Sequence, residues 1–232
     1  MSEWWTYGLR DLLLFSPRTY YRLFERYNLE LWPLPLVALA LGVVLLALAR
    51  QGGDRAGRGL AVILAVCWLW VAWAFHWERY ASINPAASYV ALAFAFEALL
   101  LLWLAVRGRL GITASRWQRG AGLGLLLFAL LVFPLLAPLF GRSWIQTEVF
   151  GMVPDLTALA TLGVLLLFSA SRVWGCLLIP VAWSLISGAT LWAMDAPDFA
   201  IVPLAALLAV VVVVGGRWAG AAPAPDIGSK RH

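Results

Sequence analysis

Residues Pro85–Val106, PAASYVALAFAFEALLLLWLAV, decide the fold class. A single charged side chain, Glu97, interrupts a run long enough to cross a bilayer, since a spanning helix needs about 20 apolar residues. Six other stretches qualify or nearly so: Leu31–Ala49, Leu60–Trp77, Ala121–Phe140, Pro154–Ala170, Val173–Trp192 and Phe199–Gly215. The breaks between them are short. Arg50–Gly59 and Arg107–Gly120 are rich in glycine and arginine, Glu78–Asn84 is polar, and Gly141–Val153 carries Arg142 and Glu148. Only Ser171–Arg172 divides the fifth stretch from the sixth, and merging the two lowers the count to six. The expected fold is therefore all-α. An integral membrane bundle of about seven transmembrane helices occupies residues 31–216, preceded by an interfacial amphipathic N-terminal segment (1–30) and followed by a flexible cytoplasmic tail (217–232).

Composition supports this and excludes several activities. Of the 232 residues, 63% are hydrophobic and 12% charged, against about 25% charged in a soluble domain. A soluble chain of this length needs a polar exterior, whereas an apolar solvent removes the need. The net charge of +5 comes from arginines in short connections, so no nucleic-acid partner is implied. Cys67 and Cys176 lie inside apolar runs without a CxxC motif, and read as helix-packing residues rather than a disulfide or zinc site. Met1–Asn28 has scattered charges and no uninterrupted apolar core, unlike a cleavable signal peptide. No Walker A motif or GxSxG elbow is present, and one histidine outside the tail cannot build a Ser-His-Asp set. Retinal needs a bundle lysine, but the one lysine is Lys230. The expectation is a protein that is not an enzyme and has no cofactor or resident metal.

Arginine and lysine in short connections orient a membrane protein. The connections after stretches one, three and five, with the tail, hold eleven: Arg50, Arg55, Arg58, Arg107, Arg109, Arg116, Arg119, Arg172, Arg217, Lys230 and Arg231. Those after two, four and six hold Arg79 and Arg142. The first set is expected inside, which puts the N-terminus outside and the C-terminus in the cytoplasm. The N-terminal segment adds Arg10, Arg18, Arg22 and Arg26 to the outer face, among Glu3, Asp11, Glu25 and Glu30.

That segment reads as interfacial. Ser16-Pro17 starts a helix with Tyr20, Tyr21, Phe24 and Tyr27 on one side and Arg18, Arg22 and Arg26 every four residues on the other. Such a helix lies in the headgroup plane, its arginines meeting lipid phosphate or an anionic substrate; Trp4 and Trp5 extend the pattern. Asn84-Pro85, Pro154-Asp155 and Pro197-Asp198 place proline at the starts of the third, fifth and seventh helices, where its missing N–H costs nothing and a carboxylate suits the dipole. All three starts are expected on the outer face.

The candidate site gathers there. His76 closes the second helix beside Glu78 and Arg79, as a proton relay, metal ligand or haem ligand, or simply as a hydrogen-bonded interfacial side chain. Glu97 lies about a dozen residues past Pro85, near mid-bilayer, where a carboxylate marks a polar interior or ion path, or is a protonated acid bonded to a neighbouring helix. Trp183, Ser184, Ser187 and Thr190 are candidate partners for it, although Ser184 and Gly188 also fit small-residue packing. The acids Glu78, Glu148, Asp155, Asp195 and Asp198 could gather a cation, or could be only what an outer loop tolerates. Pro134 and Pro138 predict a kink in the fourth helix.

Three stretches, Phe15–Asn28 (FSPRTYYRLFERYN), Ile83–Ala87 (INPAA) and Phe150–Thr157 (FGMVPDLT), resemble the markers of a bacterial multi-pass inner-membrane family with no assigned function, some members of which carry permease-like names. The resemblance runs through the whole chain and implies a seven-helix protein of the bacterial inner membrane; it supplies no catalytic residues. The expected function is binding or passage of a small solute or ion through a cavity open to the outer face, near His76, Glu78, Asn84, Asp155 and Glu97. The alternatives are an accessory subunit of a larger membrane complex or a homo-oligomer, and a haem- or pigment-binding protein using His76.

Overall fold

The computed structural model describes residues 13–107, 110–111, 114–168 and 170–221. Trp4, Trp5, Arg10, Asp11, Arg109, Lys230 and Arg231 lie outside them, as do the side chains of Arg172 and Arg217. The described residues are helical, with no strand among them. Helix α1 is Pro17–Glu30, α2 Leu34–Gln51 and α3 Gly53–Trp70, the last continuing as a π-helical segment, Val71–Trp77. Helix α4 is Ala87–Arg107. Helix α5, Arg116–Leu127, runs on through π and 3₁₀ turns into the short α6, Leu136–Leu139. Then come α7, Pro154–Leu165, α8, Ala170–Ala193, and α9, Ile201–Ala221. Five of these rods, Leu34–Gln51, Gly53–Ser82, Ala87–Arg107, Arg116–Leu139 and Val173–Ala193, are long and apolar enough to cross a membrane.

Helix α1 starts where Ser16 Oγ accepts the Thr19 N–H at 3.2 Å. Its aromatic face differs from the expectation in what it touches. Tyr20, Phe24 and Tyr27 are buried, and pack on Phe75 at the end of the α3 rod and Tyr80 just after it. The aromatic stripe is thus a protein-packing face, and only the arginine side is left open. Asn28 Nδ2 ties the helix end down by donating to the Ile145 and Thr147 carbonyls at 2.7 and 2.8 Å.

Helix α7 also departs from the expected Pro154–Ala170. It stops at Leu165, where Leu167 and Phe168 N–H turn back to the Val164 and Leu165 carbonyls. The divide before α8 therefore falls ahead of Ser171–Arg172, which belong to α8. All twelve residues of α7 are buried, as an all-round apolar helix requires. At about 18 Å it is a half-length rod enclosed by the others. Before it, Val149–Val153 run inward without helix, and Gly151 rests against Cys67, some 15 Å along the rod before Trp77. Gly151 has φ +76°, and a Cβ there would meet Cys67 Sγ at 3.0 Å.

Close helix contacts use glycine. A Cβ on Gly122 of α5 would lie 2.6 Å from the Gly163 carbonyl oxygen of α7. Gly120 and Gly124 of α5 meet nothing within 4 Å. Gly188 of α8 packs on Pro203 of α9. The expected irregularity at Pro134 is present: lacking an N–H, it cannot continue the ladder, and π turns give way to a 3₁₀ turn at Phe133–Leu135.

Candidate functional site

The residues that the sequence assigns to one cavity lie apart in the structure, and polar side chains gather in three places. One is a groove of about 640 Å³ between α1 and the end of the α3 rod, lined by Arg18, Arg22, Arg26, Glu30, Glu78 and Arg79 together with Ser82 and Ile83. Successive turns of α1 aim the arginines into it, because residues four apart share a helix face. Arg79 forms the floor. It donates to the Ala74 carbonyl at 2.7 Å, pairs with Glu30 at 3.2 Å, and lies 4.7 Å from the Tyr27 ring centroid. Arg26 reaches Glu30 at 3.6 Å. Four guanidinium groups face two carboxylates, and neither Arg18 nor Arg22 has an ion pair among the described residues. Planar guanidinium forks in that excess suit phosphate or carboxylate oxygens.

The second place lies inside the bundle. His76 and Glu97 are both fully buried, and all four of their polar side-chain atoms are without a hydrogen bond. The imidazole sits on a π turn between Phe94, Trp183, Phe75 and Tyr80, with ring centroids 4.4 to 6.0 Å away. The partners anticipated for Glu97 are committed elsewhere. Trp183 Nε1 and Ser187 Oγ donate to the two Asp155 carboxylate oxygens at 2.6 and 2.7 Å. Ser184 and Thr190 donate to carbonyls of their own helix. Asp155 is buried within the bundle rather than at an outer surface.

The third place is a buried ion cluster. Arg142 pairs with Glu148 at 3.3 Å and Asp198 at 3.0 Å, all three side chains less than a tenth exposed. Its guanidinium stands 4.9 Å from the Tyr21 ring centroid, so α1 covers it. Burial, reinforced by the nearby Asp155 carboxyl, pushes the Glu148 carboxyl up to about 8 against the pull of Arg142. Burial likewise raises Tyr21 to about 12, with Arg142 opposing. Asp198 is held by Arg142 and lies ahead of α9, not in its first turn. The outer acids therefore divide among groove, α7 and cluster. Among the described residues, no three His, Cys, Asp or Glu side chains converge as a metal site would require.

Asn84 caps the turn before α4, accepting the Ala86 N–H at 3.1 Å and donating to Tyr80 Oη at 3.4 Å. It borders a separate cavity of about 210 Å³ with Phe15, Tyr80 and Thr190. The buried cluster around Arg142 went unforeseen as a unit, since its members are separated by up to 56 residues. The pairing of Arg142 with Glu148 in one short connection was the available signal.

No curated protein matches the chain, and no solved structure does. A family model does match, over residues 18–221, spanning α1 through α9 and all three places just described. The chain belongs to that family, a family of unknown function designated DUF6064.

Proposed function

We propose that this chain is a non-enzymatic integral protein of a bacterial inner membrane that binds a phosphate-bearing anion in the α1 groove on the outer face. The bilayer is traversed seven times, the fifth passage being completed by the inward run before α7. Large apolar side chains that point outward, among them Leu39, Val43, Leu99 and Trp103, support insertion because lipid removes the cost of exposing them. The orientation follows the arginine asymmetry of the connections.

The observation that carries the binding proposal is the groove itself: about 640 Å³ of space with an excess of guanidinium groups, two of them without acidic partners among the described residues. His76 is enclosed by Phe94 and Trp183, Glu97 is fully buried on α4, and neither lines the groove. The soluble headgroup fragment sn-glycerol 3-phosphate serves as probe. The double variant R18A/R22A is expected to bind it about tenfold or more weakly, as losing charge-assisted contacts implies. Both side chains are outside the core, so folding is preserved. An unchanged affinity would sink the proposal.

A further inference from the structure

A second, apolar space lies further back along the same α3 rod. It is a crevice of about 160 Å³ between the first turns of α2 and the last turns of α3, walled by Leu34, Val37, Val66, Cys67 and Trp70, with Gly151 against it. Leu34 opens α2 just after groove residue Glu30 closes α1, and Trp70 precedes groove residue Arg79 by about 13 Å of rod. One side chain joins the two spaces: Tyr27 carries the Arg79 guanidinium on its ring and accepts the Trp70 Nε1–H at 2.9 Å. Gly151 keeps the crevice open, since its positive φ and its closeness to Cys67 both disfavour a side chain there.

A cationic groove and an apolar slot joined through Tyr27, which touches Arg79 of one and Trp70 of the other, match one ligand chemistry, an anionic head carrying a hydrocarbon chain. We infer that the occupant is an anionic phospholipid, its phosphate held by Arg18 and Arg22 and one acyl chain lying in the crevice against Val37, Val66 and Trp70. This rests on the proposed groove function and names its ligand class. Ordinary annular lipid would contact the same surface without retention. Here the two contacts are additive on one molecule, since the head is fixed by charge and the chain by apolar burial.

The experiment uses the full-length protein, delipidated in a neutral detergent, with titrations of lysophosphatidylglycerol and of chain-free sn-glycerol 3-phosphate. The lysolipid is expected to bind at least about tenfold more tightly than the fragment. The variant V37W/V66W fills the crevice from two positions that are exposed in the structure, so the core is untouched. It is expected to remove the chain advantage and leave fragment binding unchanged. Equal affinity of lysolipid and fragment, or an advantage that survives V37W/V66W, overturns the crevice assignment while the groove stands. Loss of neither ligand in R18A/R22A overturns the groove and with it this inference. Retention of the fold in both variants is read independently from thermal unfolding and gel filtration.

Discussion

A buried arginine facing more than one carboxylate sets a charge problem that protons can solve. Arg142 is paired with Asp198 and Glu148, and Asp155 adds a further carboxyl close by. The Glu148 carboxyl, raised by burial to about 8 from the usual 4.5, holds its proton more tightly in the folded chain than in the unfolded one. The stabilisation it gives is therefore complete below about pH 4.5 and is lost as pH rises through about 8. Thermal unfolding in detergent should show the melting temperature falling across this window, as the unfolding free energy drops by at most roughly 1.4 kcal/mol per pH unit. In E148Q that component should vanish; a melting temperature that rises with pH would mean an ionised Glu148 fully paired with Arg142. The other groups facing the cluster are Tyr20 and Tyr21 of α1, both raised by burial and outside this window. At this scale the sequence was informative about residue type but not about pairing. That Glu97 and His76 lie in apolar runs is plain from their neighbours. That Trp183 and Ser187 serve Asp155 instead of Glu97 depends on how α7 is set against α8, which no local pattern encodes.

Among the elements, the contact between α5 and α7 distinguishes neighbouring glycines. Gly120 and Gly124 share the GxxxG spacing, yet both face open space, while Gly122 abuts the backbone of α7 at Gly163. G122A should therefore force the two helices apart and cost about 1–3 kcal/mol, as overpacking does. G120A should be neutral or slightly stabilising, since alanine is the better helix former. Reversible unfolding of both variants in mixed micelles would check the pair, and equal effects would contradict the packing. Helix positions were legible because apolar length alone marks a span, and α2, α4 and α8 fall where their runs predict, whereas α3 begins at Gly53, within the Arg50–Gly59 stretch expected to be a connection. Helix α7 was harder. Its run is as apolar as the others, but composition does not reveal that the helix stops after twelve residues or that its neighbours enclose it on every side. Likewise, the amphipathic pattern of α1 identified its two faces correctly, but periodicity cannot tell a lipid-facing aromatic stripe from one that packs on Phe75 and Tyr80.

At the scale of the whole molecule, the proposed outer position of the groove depends on orientation, and orientation depends on charge. Eleven arginines and lysines mark one set of connections and the proposed cytoplasmic face, but the arginines of α1 lie on the other. Those of α1 escape the rule's usual force if they bind anions at the surface, because the helix then is held by its ligand and by the buried Tyr20, Phe24 and Tyr27 rather than by the charge asymmetry. Two single-cysteine positions decide the matter. Ser82 lies at the mouth of the groove and Asp54 at the opposite end of the α3 rod, and both are exposed. Native Cys67 and Cys176 are buried and give a low background. A membrane-impermeant thiol reagent applied to intact spheroplasts should label S82C at once and D54C only after permeabilisation. The reverse pattern would turn the bundle over and put the groove in the cytoplasm, where soluble phosphates and inner-leaflet lipid compete for it. Labelling of S82C should also slow when lysophosphatidylglycerol is added, because Ser82 lines the groove that the phosphate fills.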